Sequence, residues 1–406
     1  MRVLIVNVHF APESFGGATI VAEQTAAAMA ADGHEVFIVT GTSDPGVPAG
    51  TLYRYHVSGL PVVAIGRPPA RTKAAEYDQP DLMPTFASIL DVVRPDIVHF
   101  HALQGLGVGL LEQAQQAGVP TAVTLHDAWW LCERQFMVRS TGQWCGQTAI
   151  SPLVCATCVP DPSEHERRQE RSLALLNAAH LVMTPSRFWL ELMAASGISR
   201  GVLAVNPNGV IHPAQGWQRK PRSGPIRFAY VGGNHPEKGA LVLRRALAGL
   251  GRSDYTLRLV DAGMNLGHRS MTPEQWRHAG ATELVPGYTV ADLDDFFADV
   301  DVLLFPSQCQ ESYGLTVREA RLRRVWVIAT NGGGTAEGLS AGVDSTIIPL
   351  DARHEALQEA MQAAIDRPED HIPPPPDQHV LPTFADQAAE LIELYGEVVN
   401  SGQRRG

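Results

Sequence analysis

What most constrains this chain is an alternation of short apolar runs with helix-forming stretches that occurs twice. Arg2-Val-Leu-Ile-Val-Asn-Val8 is a continuous apolar run, as expected of a parallel strand buried on both faces. Gly16-Gly17 breaks the chain, Ala18–Ala31 is rich in helix formers, Gly33 ends the helix, and Glu35–Thr40 reads as the next strand. The pattern predicts helices over 84–94, 106–117 and 163–178 and from Ser186, and strands over 96–100, 121–125 and 181–183. Residues 206–225, rich in Pro, Gly and basic side chains, read as a linker. The alternation then restarts, with strands over 226–231, 257–260, 301–305 and 325–329 and helices over 236–250, 290–298 and 314–323. The expected fold is therefore α/β, with two Rossmann-like doubly wound domains, 1–205 and 226–380. After the Pro-rich stretch 372–378, the tail 381–406 is expected to carry an amphipathic helix (384–399) that crosses back to the first domain. Ligands bind outside the carboxyl ends of such strands, so two facing sheets predict one interdomain cleft.

Composition narrows the function. At 406 residues the chain exceeds the ~250–300 at which single cores stop growing. The net charge of −11 is evenly spread, with 13 Lys+Arg against 18 Asp+Glu in residues 1–205 and 19 against 25 thereafter, which argues against a nucleic-acid partner. No run approaches the ~18–20 apolar residues of a membrane span, and the opening run is too short for a signal peptide, so a cytoplasmic location is expected. Of 32 basic residues 29 are Arg; the lysines are Lys73, Lys220 and Lys238.

The strongest motif is Pro306-Ser-Gln-Cys-Gln-Glu311-Ser312-Tyr-Gly314-Leu315-Thr-Val-Arg-Glu319. Two glutamates lie eight apart, the first on a loop after an apolar strand and the second two turns into a helix. Gly314 lets the backbone approach a ligand at the helix start, where open N–H groups favour phosphate. Taken alone, two acids at this spacing more often mark an exposed amphipathic helix with ordinary surface acids. The motif resembles the Glu-x₇-Glu signature of the family-four retaining glycosyltransferases, which have the GT-B fold. The resemblance runs along nearly the whole chain. Phe10-Ala-Pro-Glu-Ser-Phe-Gly16-Gly17 is similar to the family's glycine-rich first loop and Gly33-His-Glu-Val36 to its second strand. Arg94-Pro-Asp-Ile-Val-His99, His126-Asp127, Asn208-Gly-Val210, Pro236-Glu-Lys238-Gly239 and Gly332-Gly-Gly-Thr-Ala-Glu337 follow in the family's order.

The resemblance implies a hexose transferred from a nucleotide diphosphate sugar, UDP- or GDP-linked, to a glycan or lipid-linked acceptor, in surface polysaccharide or glycoconjugate synthesis. Lys238 would neutralise the departing diphosphate, Glu311 would position the donor sugar, and His126 would hydrogen-bond the transferred sugar. Glu319 would hold the ribose, while Gly314, Leu315 and Ser312 would approach the diphosphate. Gly16 and Gly17 would bring the first loop to the substrates. No cofactor is required for catalysis, since the family is generally metal-independent. One departure stands out. Many members carry Arg five residues before the Lys, and here that position is Gly233, so His235, a nearby Arg or backbone N–H groups must substitute.

Residues 129–162 interrupt the first domain directly after His126. Cys132, Cys145, Cys155 and Cys158 are spaced C-x₁₂-C-x₉-C-x₂-C, which suits a structural tetrahedral zinc stapling a loop on the acceptor side. Ordinary thiols, a disulfide in an oxidising host or an iron–sulfur cluster are the alternatives. Arg67-Pro-Pro-Ala-Arg71-Thr-Lys73 is a small basic loop, either solvated or in peripheral contact with anionic lipid at the inner face of the cytoplasmic membrane. A nucleotide-sugar epimerase and a non-catalytic glycan- or nucleotide-binding scaffold share the architecture. A NAD-dependent dehydrogenase is disfavoured, because no G-x-G-x-x-G follows either opening strand.

Overall fold

Two parallel sheets form where the two alternating series lie. The computed structural model describes residues 1–14, 16–44, 46–68, 72–351, 353–375 and 381–403. Two units emerge from the contacts: Met1–Gln135 with Gln147–Gly209 and the chain from Pro382 on, and Phe136–Gly146 with Val210–Leu381.

The first unit holds an eight-stranded sheet in the order Leu52–Val57, Leu60–Gly66, Glu35–Thr42, Arg2–Val6, Ile97–Phe100, Thr121–Thr124, Leu181–Thr184, Leu203–Val205. All neighbours are parallel except the edge pair Leu52–Val57 and Leu60–Gly66. That hairpin was absent from the sequence reading, because Leu52–Val57 is an exposed edge strand without a clear apolar alternation. After Arg2 the strand is apolar throughout, Val3 to Val6, because both faces of its sheet are buried. Val3 and Ile5 face a core that includes Ala22, Ala26 and Met29 of helix Gly16–Ala31 and Ala388, Leu391 and Tyr395 of helix Phe384–Gln403. Asn208-Gly209 makes that docking work. A Cβ on Gly209 would lie 2.5 Å from the Phe384 backbone, and Gln387 accepts from Gly209 N–H at 2.8 Å while donating to Asn206 Oδ1 at 3.0 Å.

The second unit holds a six-stranded parallel sheet, ordered Ala281–Pro286, Tyr255–Asp261, Ile226–Tyr230, Val302–Phe305, Trp326–Thr330, Ser345–Ile348. Strand periodicity assigns the two faces. Phe228, Tyr230, Val302 and Leu304 pack with Leu243, Leu257 and Met361, while Ala229 and Leu303 pack on the other side with Phe297 and Val317. Burying each large apolar side chain contributes about 1.5–3 kcal/mol before the entropic cost of ordering it. The two outermost strands were not predicted; Ala281–Pro286 is largely exposed and carries no strong signal. The predicted helix 236–250 is divided. A 3₁₀ turn, Pro236–Lys238, ends at Gly239 with φ 84°, and helix Ala240–Leu250 follows.

Candidate active site

In the second unit the candidate residues gather at the carboxyl ends of two adjacent strands, Ile226–Tyr230 and Val302–Phe305. The loop after the first carries Gly233 and Lys238, and the loop after the second carries Glu311. Gly239 lets them meet, since a Cβ there would lie 1.9 Å from the Pro306 carbonyl oxygen. Backbone bonds fix the crossing. Gln308 N–H donates to the Glu237 carbonyl at 2.7 Å, Ser307 Oγ lies 3.1 Å from the same oxygen, and Tyr230 OH donates to the Lys238 carbonyl at 3.2 Å.

Lys238 Nζ then donates to both carboxylate oxygens of Glu311, at 2.8 and 3.1 Å. Ser307 Oγ adds a 2.6 Å bond to the same carboxylate, and Cys309 Sγ approaches at 3.6 Å. Burial alone would raise the Glu311 carboxyl, but the ammonium and these donors outweigh it and hold it below the usual carboxylate value. Lys238 is raised, because Glu311 more than offsets the desolvation that would lower it. The Glu311 backbone is clamped by Gly332-Gly-Gly334. Gly334 N–H donates to the Glu311 carbonyl at 2.7 Å, and Gly333, with φ 67°, has no room for a Cβ, which would sit 2.2 Å from that oxygen.

Helix Leu315–Leu322 starts at Gly314, whose φ of 78° and proximity to Thr335 Oγ1 (2.7 Å from an ideal Cβ) leave room for glycine only. The first N–H groups of a helix have no partner within it, so Leu315 and Thr316 present donors at this point, while Val317 and Arg318 N–H already bond the Gly314 carbonyl. Ser312 lies in the half-buried bend between Glu311 and Gly314. Buried Arg318 fixes the bend by donating to the carbonyls of Gly334 (2.9 Å), Glu337 (3.2 Å) and Tyr313, with its guanidinium 3.6 Å from the centre of the Tyr313 ring. One turn from Gly314, Glu319 is 8% exposed, and burial raises its carboxyl to about 7, Arg323 acting in the opposite direction. Gly233 has φ 56°, and a Cβ on it would lie 3.1 Å from His235 Cδ2. His235 itself turns to Glu237 at 3.3 Å, a hydrogen bond that raises the imidazole above its ordinary value.

In the first unit, His126 follows strand Thr121–Thr124 and lies 2.8 Å from His101 Nδ1 through its Nε2, the two rings stacked. His99 lies against His101, with ring centroids 4.0 Å apart and the planes tilted by 39°, and is held by Thr124 Oγ1 at 2.8 Å and Tyr395 OH at 2.6 Å. Burial lowers His126 to about 4 and His99 to about 3, so the column is neutral at pH 7. Asp127 accepts from Trp129 N–H and from Gln135 Nε2, at 2.8 and 2.6 Å, and so shapes the turn after His126. Gly16, with φ 80°, and Gly17 open helix Gly16–Ala31 on the loop after the first strand.

Two family models cover most of the chain: "Glycosyl transferase 4-like domain" over residues 16–209 and "Glycosyl transferases group 1" over 225–367. The chain belongs to the family-four glycosyltransferases of the GT-B fold. This glycosyltransferase is 26% identical over 362 residues to D-inositol 3-phosphate glycosyltransferase of Paenarthrobacter aurescens, covering 84% of this chain and 81% of that one. Its fold is similar to sucrose-phosphate synthase from Thermosynechococcus elongatus (TM-score 0.71, 17% identity, 98% and 99% of the two chains). It is also similar to Anabaena HepE, solved in complex with UDP and glucose (TM-score 0.62, 17% identity, 100% and 98%). The epimerase and the non-catalytic scaffold give way to a transferase.

Two further features of this glycosyltransferase lie outside that site. Among the described residues no group of three or more His, Cys, Asp or Glu side chains is placed to hold a metal. Cys145 groups with the second unit and Cys132, Cys155 and Cys158 with the first. Polar and aromatic contacts hold the start of the insert. Arg168 donates to the Trp129 carbonyl and Gln169 to the Leu131 carbonyl, with the Arg168 guanidinium over the Tyr77 and Trp129 rings. The basic loop is also less basic than its sequence. Arg67 turns inward to Ser43 Oγ (2.8 Å) and the Gln104 carbonyl (3.4 Å), in space that a Cβ on Gly41 or Gly105 would fill. Lys73 pairs with Glu76 at 2.7 Å, and Arg71 lies outside the described residues. No helix among them is long and apolar enough to cross a membrane.

Sequence reasoning passed over Ser307, Gly333, Arg318 and His101. Ser307 and Gly333 sit inside quoted motifs, and His101 follows His99 by two, so a signal existed for these three. A buried Arg in an amphipathic helix gave none.

Proposed function

We propose that this glycosyltransferase is a retaining hexosyltransferase that takes a UDP-linked hexose and needs no metal for catalysis. The observation that carries the reading is the Lys238–Glu311 pair beside the glycine-capped helix start that leads to Glu319. Cleaving a sugar–diphosphate bond develops negative charge on phosphate, which preorganised donors and a cation stabilise. Lys238 and the N–H groups after Gly314 supply both, so the residues present perform the task a divalent cation performs elsewhere. Until a donor arrives, Glu311 balances Lys238. Diphosphate then takes over the ammonium, and the Glu311 carboxylate turns to the hydroxyls of the sugar.

Glu319 is buried, its carboxylate carries no hydrogen bond among those described, and it sits one helical turn from the phosphate-facing N–H groups. That suits bidentate acceptance of two ribose hydroxyls. In the first unit, His126 presents a neutral imidazole. UDP is favoured because HepE was solved with UDP and glucose. The acceptor we favour is a glycan or lipid-linked hydroxyl compound; the Paenarthrobacter aurescens relative, a D-inositol 3-phosphate glycosyltransferase, likewise takes a hydroxyl-rich acceptor by its name. The test is a thermal-shift screen of the whole chain against UDP-, GDP-, ADP- and dTDP-sugars in EDTA, followed by anomeric NMR of the product. A UDP-sugar should stabilise most, and the product should keep the donor's anomeric configuration. An inverted product, or dependence on added divalent cation, contradicts the reading.

A further inference from the structure

The cysteine-rich insert was expected to wall the acceptor side, yet its central segment, Phe136–Gly146, groups with the second unit. It is a small hairpin. Val138 bridges Trp144, Arg139 N–H donates to the Gln143 carbonyl at 2.8 Å, and Cys145 N–H donates to the Met137 carbonyl at 2.8 Å. Gly142 makes the turn with φ 82°, and an ideal Cβ on it would stand 3.7 Å from Pro236, the first residue of the Lys238 turn. At the base of the hairpin, the ring centre of Phe136 lies 5.5 Å from Lys238 Nζ.

We propose that this hairpin is part of the donor site and that Phe136 is a positioning residue, its ring holding the Lys238 ammonium for the donor diphosphate. The inference rests on the reading of Lys238 as the diphosphate cation. An aromatic face attracts an ammonium through its quadrupole within about 6 Å. It differs from a carboxylate in one respect that matters here. It adds no negative charge, so the full cation remains for the ligand. It also keeps water from that side of the ammonium, which strengthens the remaining interactions. Where the family's second cation is replaced by Gly233, Lys238 gains most from being held in one place. Glu311 holds the ammonium until the donor arrives, and the ring keeps it in place once diphosphate competes with Glu311.

The test uses the full chain and the nucleoside diphosphate, among UDP, GDP, ADP and dTDP, that binds the wild type most tightly, with its parent nucleoside as control. Phe136→Leu keeps the apolar volume and removes the quadrupole; Phe136→Trp keeps both in part. Phe136→Leu should weaken the nucleoside diphosphate about three- to tenfold, the range set by a cation–π contact. It should leave the nucleoside unchanged, and Phe136→Trp should bind within about twofold of wild type. Unchanged binding in Phe136→Leu, or equal loss of nucleoside and nucleoside diphosphate, overturns the proposal. Lys238→Ala separates the two levels. If Lys238→Ala loses diphosphate affinity while Phe136→Leu does not, only the role of Phe136 fails. If neither does, the Lys238 reading fails as well.

Discussion

The Lys238 ammonium lies 2.8 and 3.1 Å from the two oxygens of the Glu311 carboxylate, although the residues are 73 positions apart. Each neutralises the other, and the partner matters most to Glu311, the more buried of the two. Lys238→Ala and Glu311→Ala should each lower transfer by at least about a hundredfold, as loss of a preorganised charge-stabilising group does. Each leaves a charge behind, so chemical denaturation should also show a loss of about 1–3 kcal/mol. Near-wild-type turnover in both variants contradicts the site assignment.

Glu319 makes a pH-dependent prediction with an unusual sign. Its folded value of about 7 lies above the ordinary 4.5. Between those values the folded protein keeps a proton that the unfolded chain has lost, so this group's contribution to stability falls as pH rises through the window and is level above it. Glu319→Gln should therefore be more stable than wild type at pH 8, by on the order of 2 kcal/mol, with no difference near pH 4. Nucleotide binding should move the other way, weakening at pH 8 because an amide accepts ribose hydroxyls poorly. Equal melting curves for the two proteins at pH 8 would contradict the burial of an unsatisfied carboxylate.

These two positions show what the sequence could and could not convey. Lys238, Glu311 and Glu319 were legible because each follows a strand pattern by a fixed offset, and the sheet then brings the offsets together. Phe136, Ser307 and Arg318 act through contacts that no local pattern encodes. Arg67 looked like solvated surface because two distant glycines, Gly41 and Gly105, make its space. The spacing of the four cysteines suggested zinc, but spacing says nothing of where the chain between them goes, and Phe136–Gly146 goes with the second unit. Edge strands such as Ala281–Pro286 were missed because exposure erases the hydrophobic signal.

His101 should act through His126. The two imidazoles share one proton across 2.8 Å, and burial keeps the pair neutral. His126 falls to about 4, below its ordinary 6.5, so the stability tied to its neutral form is present above 6.5 and lost as pH falls through about 4. The pH–rate profile should show no limb near 6.5 from this residue. His101→Phe should lower kcat about tenfold or more with donor KM little changed, while His101→Asn, which keeps a hydrogen-bonding atom near Nδ1, should recover part of the rate. Equal rates for the two variants would remove His101 from the account.

Gly333 is a backbone prediction. With φ 67° and the Glu311 carbonyl 2.2 Å from where a Cβ would stand, Gly333→Ala must displace the Glu311 loop. Stability should fall by about 2–4 kcal/mol and transfer should fall with it, whereas Gly342→Ala, at φ 76° with open space around it, should cost only about 1–2 kcal/mol. Similar losses at both positions would mean that the contact with Glu311 adds nothing to the cost of the backbone conformation.

The central claim is that the second unit holds a nucleotide diphosphate sugar through Lys238 and Glu319 without a metal. Isothermal titration of UDP-glucose into wild type, Lys238→Ala and Glu319→Gln, in EDTA at pH 8, tests it most directly. The account predicts binding by the wild type and at least about tenfold weaker binding by each variant. Wild-type affinity in both variants, or no binding of UDP-, GDP-, ADP- or dTDP-glucose to the wild type until a divalent cation is added, would contradict it.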